Sequence, residues 1–151
     1  FGKWMVVRFL RPPGAGQGLA IGGCHITNYL LERSRLVSPA PDERTYHVFY
    51  QLLAGADEAM QAELRLRPPS DCALFTRTTS CLAVPGMDDS AEWEDVVRSF
   101  GVLGFEEESV TSVLRCVSGV LQLADIDFEH AAAGSDGSGA VVTAGARQRL
   151  E

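Results

Sequence analysis

Between Asp42 and Ala56 the chain places Val48, Phe49, Leu52, Leu53 and Ala56 at intervals of three and four, one apolar stripe of a helix about three turns long. Asp42 is the expected N-cap and Gly55 the expected C-terminal stop. Such a stripe has to be buried. Any fold open to this chain must therefore cover that helix, and the remaining segments read as what covers it or is attached to it.

Lys3 to Arg11 is apolar at both alternating sets of positions (Trp4, Met5, Val6, Val7, Phe9, Leu10), the pattern of a strand covered on both faces in the middle of a sheet. Pro12 to Gly18 breaks the pattern and Leu19 to Ile26 resumes it, which predicts an antiparallel pair of residues 3–11 and 19–27. Gly22-Gly23 inside the second strand predicts a bulge or a close backbone approach. Gly14, Gly16 and Gly18 do not form a phosphate loop. They complete no Gly-x-Gly-x-x-Gly, no Gly-Lys-Ser/Thr follows, and the next element is a strand rather than a helix N-terminus.

Leu36 to Pro41 is a connector because Pro39 and Pro41 disfavour helix before them. Asp57 to Leu64 is a short amphipathic helix, expected to end at Pro68-Pro69. Ser70 to Gly86 holds no lasting periodicity and reads as a packed irregular segment. Asp88-Asp89-Ser90 opens a helix near 90–100 with Trp93, Val96, Val97 and Phe100 on one face and Gly101 as its end. A longer helix near 106–123 carries Val110, Val113, Leu114, Val117 and Leu121. His130 to Gly139 is small, polar and glycine-rich, a surface loop, and Val141 onward begins a further element.

His47 has Glu43 four residues before it but no second ligand type at helical spacing, so it reads as a hydrogen-bonded structural side chain; His25 and His130 assemble no site. Cys24, Cys72, Cys81 and Cys116 lack Cys-x-x-Cys spacing and lie in stretches that read as buried or half-buried, so reduced structural thiols are expected and no metal site. The formal charge of −7 argues against a nucleic-acid surface. Much of that acid lies from Asp88 to Glu108 and reads as a solvated face. No apolar run approaches the length of a membrane span and no signal segment opens the sequence, so a soluble, intracellular protein is expected.

The order of residue types carries a further signal. Tyr29-Leu-Leu-Glu-Arg-Ser-Arg35 followed by Glu43-Arg-Thr-Tyr-His-Val-Phe-Tyr-Gln-Leu-Leu-Ala-Gly55 resembles the motor head of the myosins, as does the opening Phe1-Gly2-Lys3. Asp-Asp, an acidic helix, Leu103-Gly-Phe105, a second helix and Val120-Leu-Gln-Leu-Ala-Asp-Ile-Asp-Phe-Glu129 are similar to the same family over residues 1 to about 130. There Gln122 stands where the family has His, Ala124-Asp125 where it has Gly-Asn, and Cys72-Ala-Leu-Phe-Thr76 where it has a Tyr-x-Tyr-Leu element.

The resemblance implies a mixed α/β chain: an antiparallel strand pair from a larger central sheet, then a mainly helical subdomain, together a fragment of a P-loop NTPase motor fold. Residues 1–28 would be a transducer-like hairpin, 29–129 the helical upper 50-kilodalton subdomain, 130–139 a surface loop near actin (His130, Ser135, Asp136, Ser138), and 140–151 a truncated element. Phe1, Gly2 and Lys3 would be the tail of the first nucleotide switch, the chain beginning just after the residues that do the chemistry. It further implies ATP and Mg²⁺ for the complete motor, with none bound by this piece and no catalytic residue in it, an actin filament and the rest of the head as partners, and a cytoplasmic, cytoskeletal setting. An alternative from another class is a stand-alone helical interaction module that kept the hydrophobic frame without the motor.

Overall fold

The computed structural model describes residues 2–13, 18–30, 32–79, 81–130 and 139–150, which divide into two compact units, 1–33 and 34–151.

In the first unit β1 (Gly2–Leu10) pairs antiparallel with β2 (Ala20–Tyr29), from Gly2 opposite Tyr29 to Leu10 opposite Ala20. The register slips between Arg8, opposite Gly23, and Phe9, opposite Ile21. Gly22 is the extra residue, so the bulge predicted at the glycine pair is present. Leu10 packs where a Gly22 side chain would stand, which is why this position carries none. The sheet is two-stranded, and Trp4, Met5, Phe9, Leu10, Ile21 and Ile26 are exposed. The double covering expected of β1 is thus not supplied within this unit, because a two-stranded ribbon has no layer of its own to lay on either face.

The second unit runs from α1 (Arg33–Val37) through α2 (His47–Gly55), α3 (Glu58–Glu63), a 3-10 turn (Pro69–Asp71), α4 (Ala73–Thr78), α5 (Asp89–Val102) and α6 (Glu107–Leu123) to β3 (Phe128–His130), β4 (Ala140–Val142) and α7 (Ala144–Leu150). β3 and β4 are antiparallel, with Glu129 opposite Val141. α2 lies at the centre. Phe49 and Tyr50 pack with Cys72, Leu74, Phe75 and Leu121, while Leu52 and Ala56 pack with Leu64, Trp93 and Leu114. Phe49 and Leu114 are buried, as their stripes require, but Val97 and Val113 are exposed, because each lies at the margin of its stripe.

Several expected boundaries move, each for a local reason. α2 begins at His47, not at Asp42: a turn closes from Ala40 O to Glu43 N–H (2.9 Å), the Thr45 N–H is donated to Tyr50 Oη (3.3 Å), and Tyr46 is extended at the N-cap. α3, capped by Asp57 through Met60 N–H (2.8 Å), ends before the prolines. Arg65 adopts φ +51° and the Leu66 N–H reaches back to Gln61 O (2.9 Å), a left-handed closure. α5 likewise runs past Gly101. Gly104, at φ +74°, closes it, with Phe105 N–H donated to Phe100 O (3.0 Å) and the two rings packed edge to face at 5.3 Å. The segment expected to be irregular contains α4, whose Phe75 is 1% exposed.

Candidate functional site

Two polar clusters interrupt the core. In the first, Arg44 is buried beside α2 and donates to Asp89 Oδ2 at 2.6 Å and to Met87 Sδ at 3.0 Å. Its guanidinium carbon lies 3.6 Å from the centre of the Tyr50 ring, a cation–π contact in a desolvated setting. Tyr50 donates to Cys81 O (3.4 Å), and next to it Gln51 Nε2 donates to Glu92 Oε2 (2.8 Å). Burial works to lower the Arg44 pKa, but Asp89 and Tyr50 outweigh it, and the net shift is upward. Burial also raises the Tyr50 phenol, which remains neutral. Arg44 Nε, Thr45 Oγ1 and Asp89 Oδ1 are buried without a hydrogen-bond partner, so the ion pair is single-pronged.

The residues of this cluster are those that stripe counting missed. Phe49, Tyr50, Gln51 and Leu52 are consecutive and all buried, which means that α2 is covered on more than one face and its polar side chains need internal partners. The signal was present as Tyr50 and Gln51 inside an otherwise apolar run.

In the second cluster, Arg67 pairs with Asp125, whose Oδ1 accepts the Ala73 N–H at the start of α4 (2.8 Å). Ser118 Oγ (2.6 Å) and Gln122 Nε2 (3.1 Å) both donate to Leu64 O, satisfying a carbonyl at the end of α3. A polar cavity of 160 Å³ is lined by Arg67, Asp71, Thr76, Arg77 and Asp125. Arg77 is itself paired with Asp127 at 2.6 Å. Both clusters tie helix ends and neighbouring elements together. Neither pairs a nucleophile with a base.

The remaining sequence-derived candidates do not converge on these clusters. Gly2 and Lys3 stand in β1 opposite Tyr29 and Asn28, and His130 is exposed at the end of β3. Phe1, Ser135, Asp136 and Ser138 lie outside the described residues. His47, expected to be a hydrogen-bonded structural side chain, is exposed at the first turn of α2, while Thr45 before the helix and Tyr50 within it are buried and joined by a hydrogen bond. Cys24 and Cys116 are exposed, against the expectation of burial, because they lie on the open face of the ribbon and the outer side of α6; Cys72 is buried and Cys81 half-buried.

The described residues do not assemble a cradle that fits ATP or Mg²⁺. Gly18 leads into β2 rather than into a helix N-terminus, Lys3 stands on a strand, and the described residues include no group of three or more His, Cys, Asp or Glu able to hold a metal ion.

The family model for the myosin head (motor domain) matches residues 1–147. The chain belongs to that family. It is 40% identical over 130 residues to the Myosin ID heavy chain of Dictyostelium discoideum, covering 86% of this chain and 11% of that protein. Over 127 residues it is 42% identical to the Unconventional myosin-Ia of Homo sapiens, covering 83% of this chain and 11% of that protein. Unconventional myosin-Ic-A of Xenopus laevis is 36% identical over 143 residues, covering 95% of this chain and 13% of that protein. The chain thus spans about a tenth of the length of relatives such as the first two. The mixed α/β architecture, an antiparallel hairpin followed by helices, is that of part of a myosin motor domain, and the described residues include no helix long and apolar enough to cross a membrane.

Proposed function

We propose that this part of the myosin head belongs to an actin-based, ATP-driven motor, in which it couples nucleotide state to the actin-binding cleft. The match to the motor-domain family over nearly the whole chain carries this reading. The hairpin acts as two strands of the central transducer sheet, residues 29–129 as the helical upper subdomain, 130–139 as a loop near actin, and 140–151 as the strand and helix that follow it. The exposed apolar faces of the hairpin support the first assignment, since they are surfaces that neighbouring strands and helices would cover.

In this reading ATP and Mg²⁺ are held by other parts of the head, and Phe1, Gly2 and Lys3 are the tail of the first switch, away from the phosphates. The contribution of these residues is mechanical. A twisted hairpin with a bulge can change its twist as its neighbours move, and a helical unit cross-linked by Arg44–Asp89 and Arg67–Asp125 moves as a block rather than deforming.

Co-sedimentation of the complete protein with actin filaments tests the reading. Binding in the absence of nucleotide that is released by MgATP is expected. Filament binding that is absent, or indifferent to MgATP, would remove the motor assignment and leave an interaction module.

A further inference from the structure

One corner of the second unit carries the charge of the chain. Of 20 acidic side chains, eight lie between residues 88 and 108 against the single Arg98, and the other 12 are matched by 12 Lys and Arg, so the net −7 is the charge of this segment. The segment comprises α5, the turn after it and the first residues of α6. Asp89 is neutralised by Arg44, and Glu92 accepts from Gln51. Glu94, Asp95, Glu106, Glu107 and Glu108 are exposed, with Arg98 paired to Asp95.

The same helix bounds a groove of 370 Å³ lined by Val96, Phe100 and Leu103 together with Gln51, Glu92 and Asp95. Positions 92, 95, 96, 100 and 103 recur at intervals of three and four, so one face of α5 forms its wall. Beyond it the apolar surface continues onto Val102 and Leu103, which are 82% and 71% exposed, and onto Phe105. The left-handed Gly104 and the packing of Phe105 on Phe100 hold this end of the groove in place.

We infer that this face docks a basic amphipathic helix from a separate polypeptide. An aliphatic or aromatic anchor of the partner enters between Val96, Phe100 and Leu103, and its Lys or Arg side chains meet Glu94, Asp95 and the Glu106–Glu108 run. A contrast within the chain argues for a separate molecule. The hairpin exposes apolar faces in a stretch, residues 1–31, that contains no acidic residue at all, the composition of a surface buried permanently inside one fold. The groove on α5 instead couples an apolar floor to concentrated charge of one sign. Such charge accelerates encounter between molecules that diffuse independently, a gain in rate that a segment already tethered does not need.

Fluorescence anisotropy with the complete protein tests this. The probe is a labelled peptide of about 18 residues, long enough for three or more helical turns, built from Leu, Lys and one Trp with its apolar residues at i, i+3, i+4 and i+7. A scrambled peptide of identical composition is the control. The amphipathic peptide is expected to bind at least about tenfold more tightly than the scramble and to weaken several-fold as salt rises from about 50 to about 200 mM. Leu103→Ser, at a solvent-facing position, and the charge reversal Glu94→Lys/Asp95→Lys should each weaken it about tenfold while leaving the melting temperature nearly unchanged. Equal binding of the scramble, or variants that bind like the wild type, would overturn the proposal. So would protection of a Leu103→Cys thiol from maleimide in the complete protein without peptide, since the polypeptide itself would then cover the groove.

Discussion

Gly55 and Trp93 meet where α2 crosses α5: a β-carbon on Gly55 would lie under 3.0 Å from Cβ, Cγ and Cδ1 of the Trp93 side chain. The glycine ends α2, as its place in the sequence suggests, but its φ is not left-handed, and what fixes it is the closeness of the indole. The atoms it would strike are the root of the Trp93 side chain, which cannot swing aside as a flexible tip would. Gly55→Ala is therefore expected to destabilise the head by about 1–3 kcal/mol through overpacking, although alanine is the better helix former. Urea unfolding of the complete motor domain measures it, and an unchanged midpoint would contradict the close crossing.

The Arg44–Asp89 pair predicts an asymmetry. With Arg44 buried and Asp89 as its carboxylate partner, Asp89→Ala leaves a positive charge uncompensated and should cost about 3–5 kcal/mol. The double variant Arg44→Met/Asp89→Leu removes both charges and should be the less damaging of the two. Thermal unfolding of the two variants decides it; a double variant as unstable as Asp89→Ala would show that the pair contributes more than the absence of an orphaned charge.

Burial raises the Cys72 pKa, with Asp71 adding to the shift and Arg67 opposing it. A neutral thiol with a folded-state pKa above its unfolded value stabilises the fold below the unfolded pKa, and this contribution is lost as pH rises through the folded one. Iodoacetamide at mildly alkaline pH should accordingly modify exposed Cys116 well before Cys72, as peptide mapping would report. Equal rates would place Cys72 outside the core.

Residues 130–139 carry Asp136 as their only fixed charge and no Lys or Arg. Whatever its position relative to actin, a segment of this composition should add little electrostatic attraction to an acidic filament. Replacing it with a Gly/Ser linker of equal length should leave actin affinity nearly unchanged at low salt, measured by co-sedimentation. A large loss would reveal specific contacts.

Periodicity made the apolar frame legible: β1 with β2, α2, α5 and α6 all lie close to where their stripes place them. Helix ends were harder, because Arg65 closes α3 in a left-handed conformation that no propensity favours, and Gly104 rather than Gly101 closes α5. α4 was invisible because its six residues, three buried apolar ones (Ala73, Leu74, Phe75) followed by three polar ones, are too few to repeat a helical period. The Arg44 cluster was hidden for a different reason. Its members are 45 residues apart in sequence between Arg44 and Asp89, and only the packing of α2 against α5 brings them together. Order of residue types, rather than any periodicity, carried the family, and Gln122 and Asp125, which depart from its usual phrase, act on the ends of α3 and α4.

The most direct test of the motor reading is the steady-state ATP turnover of the complete protein in Mg²⁺, with and without actin filaments. The account predicts slow turnover alone and a several-fold or greater rise with filaments, while the isolated 151-residue chain neither binds nor turns over ATP. Turnover that filaments leave unchanged, or saturable ATP binding by the isolated chain, would contradict it.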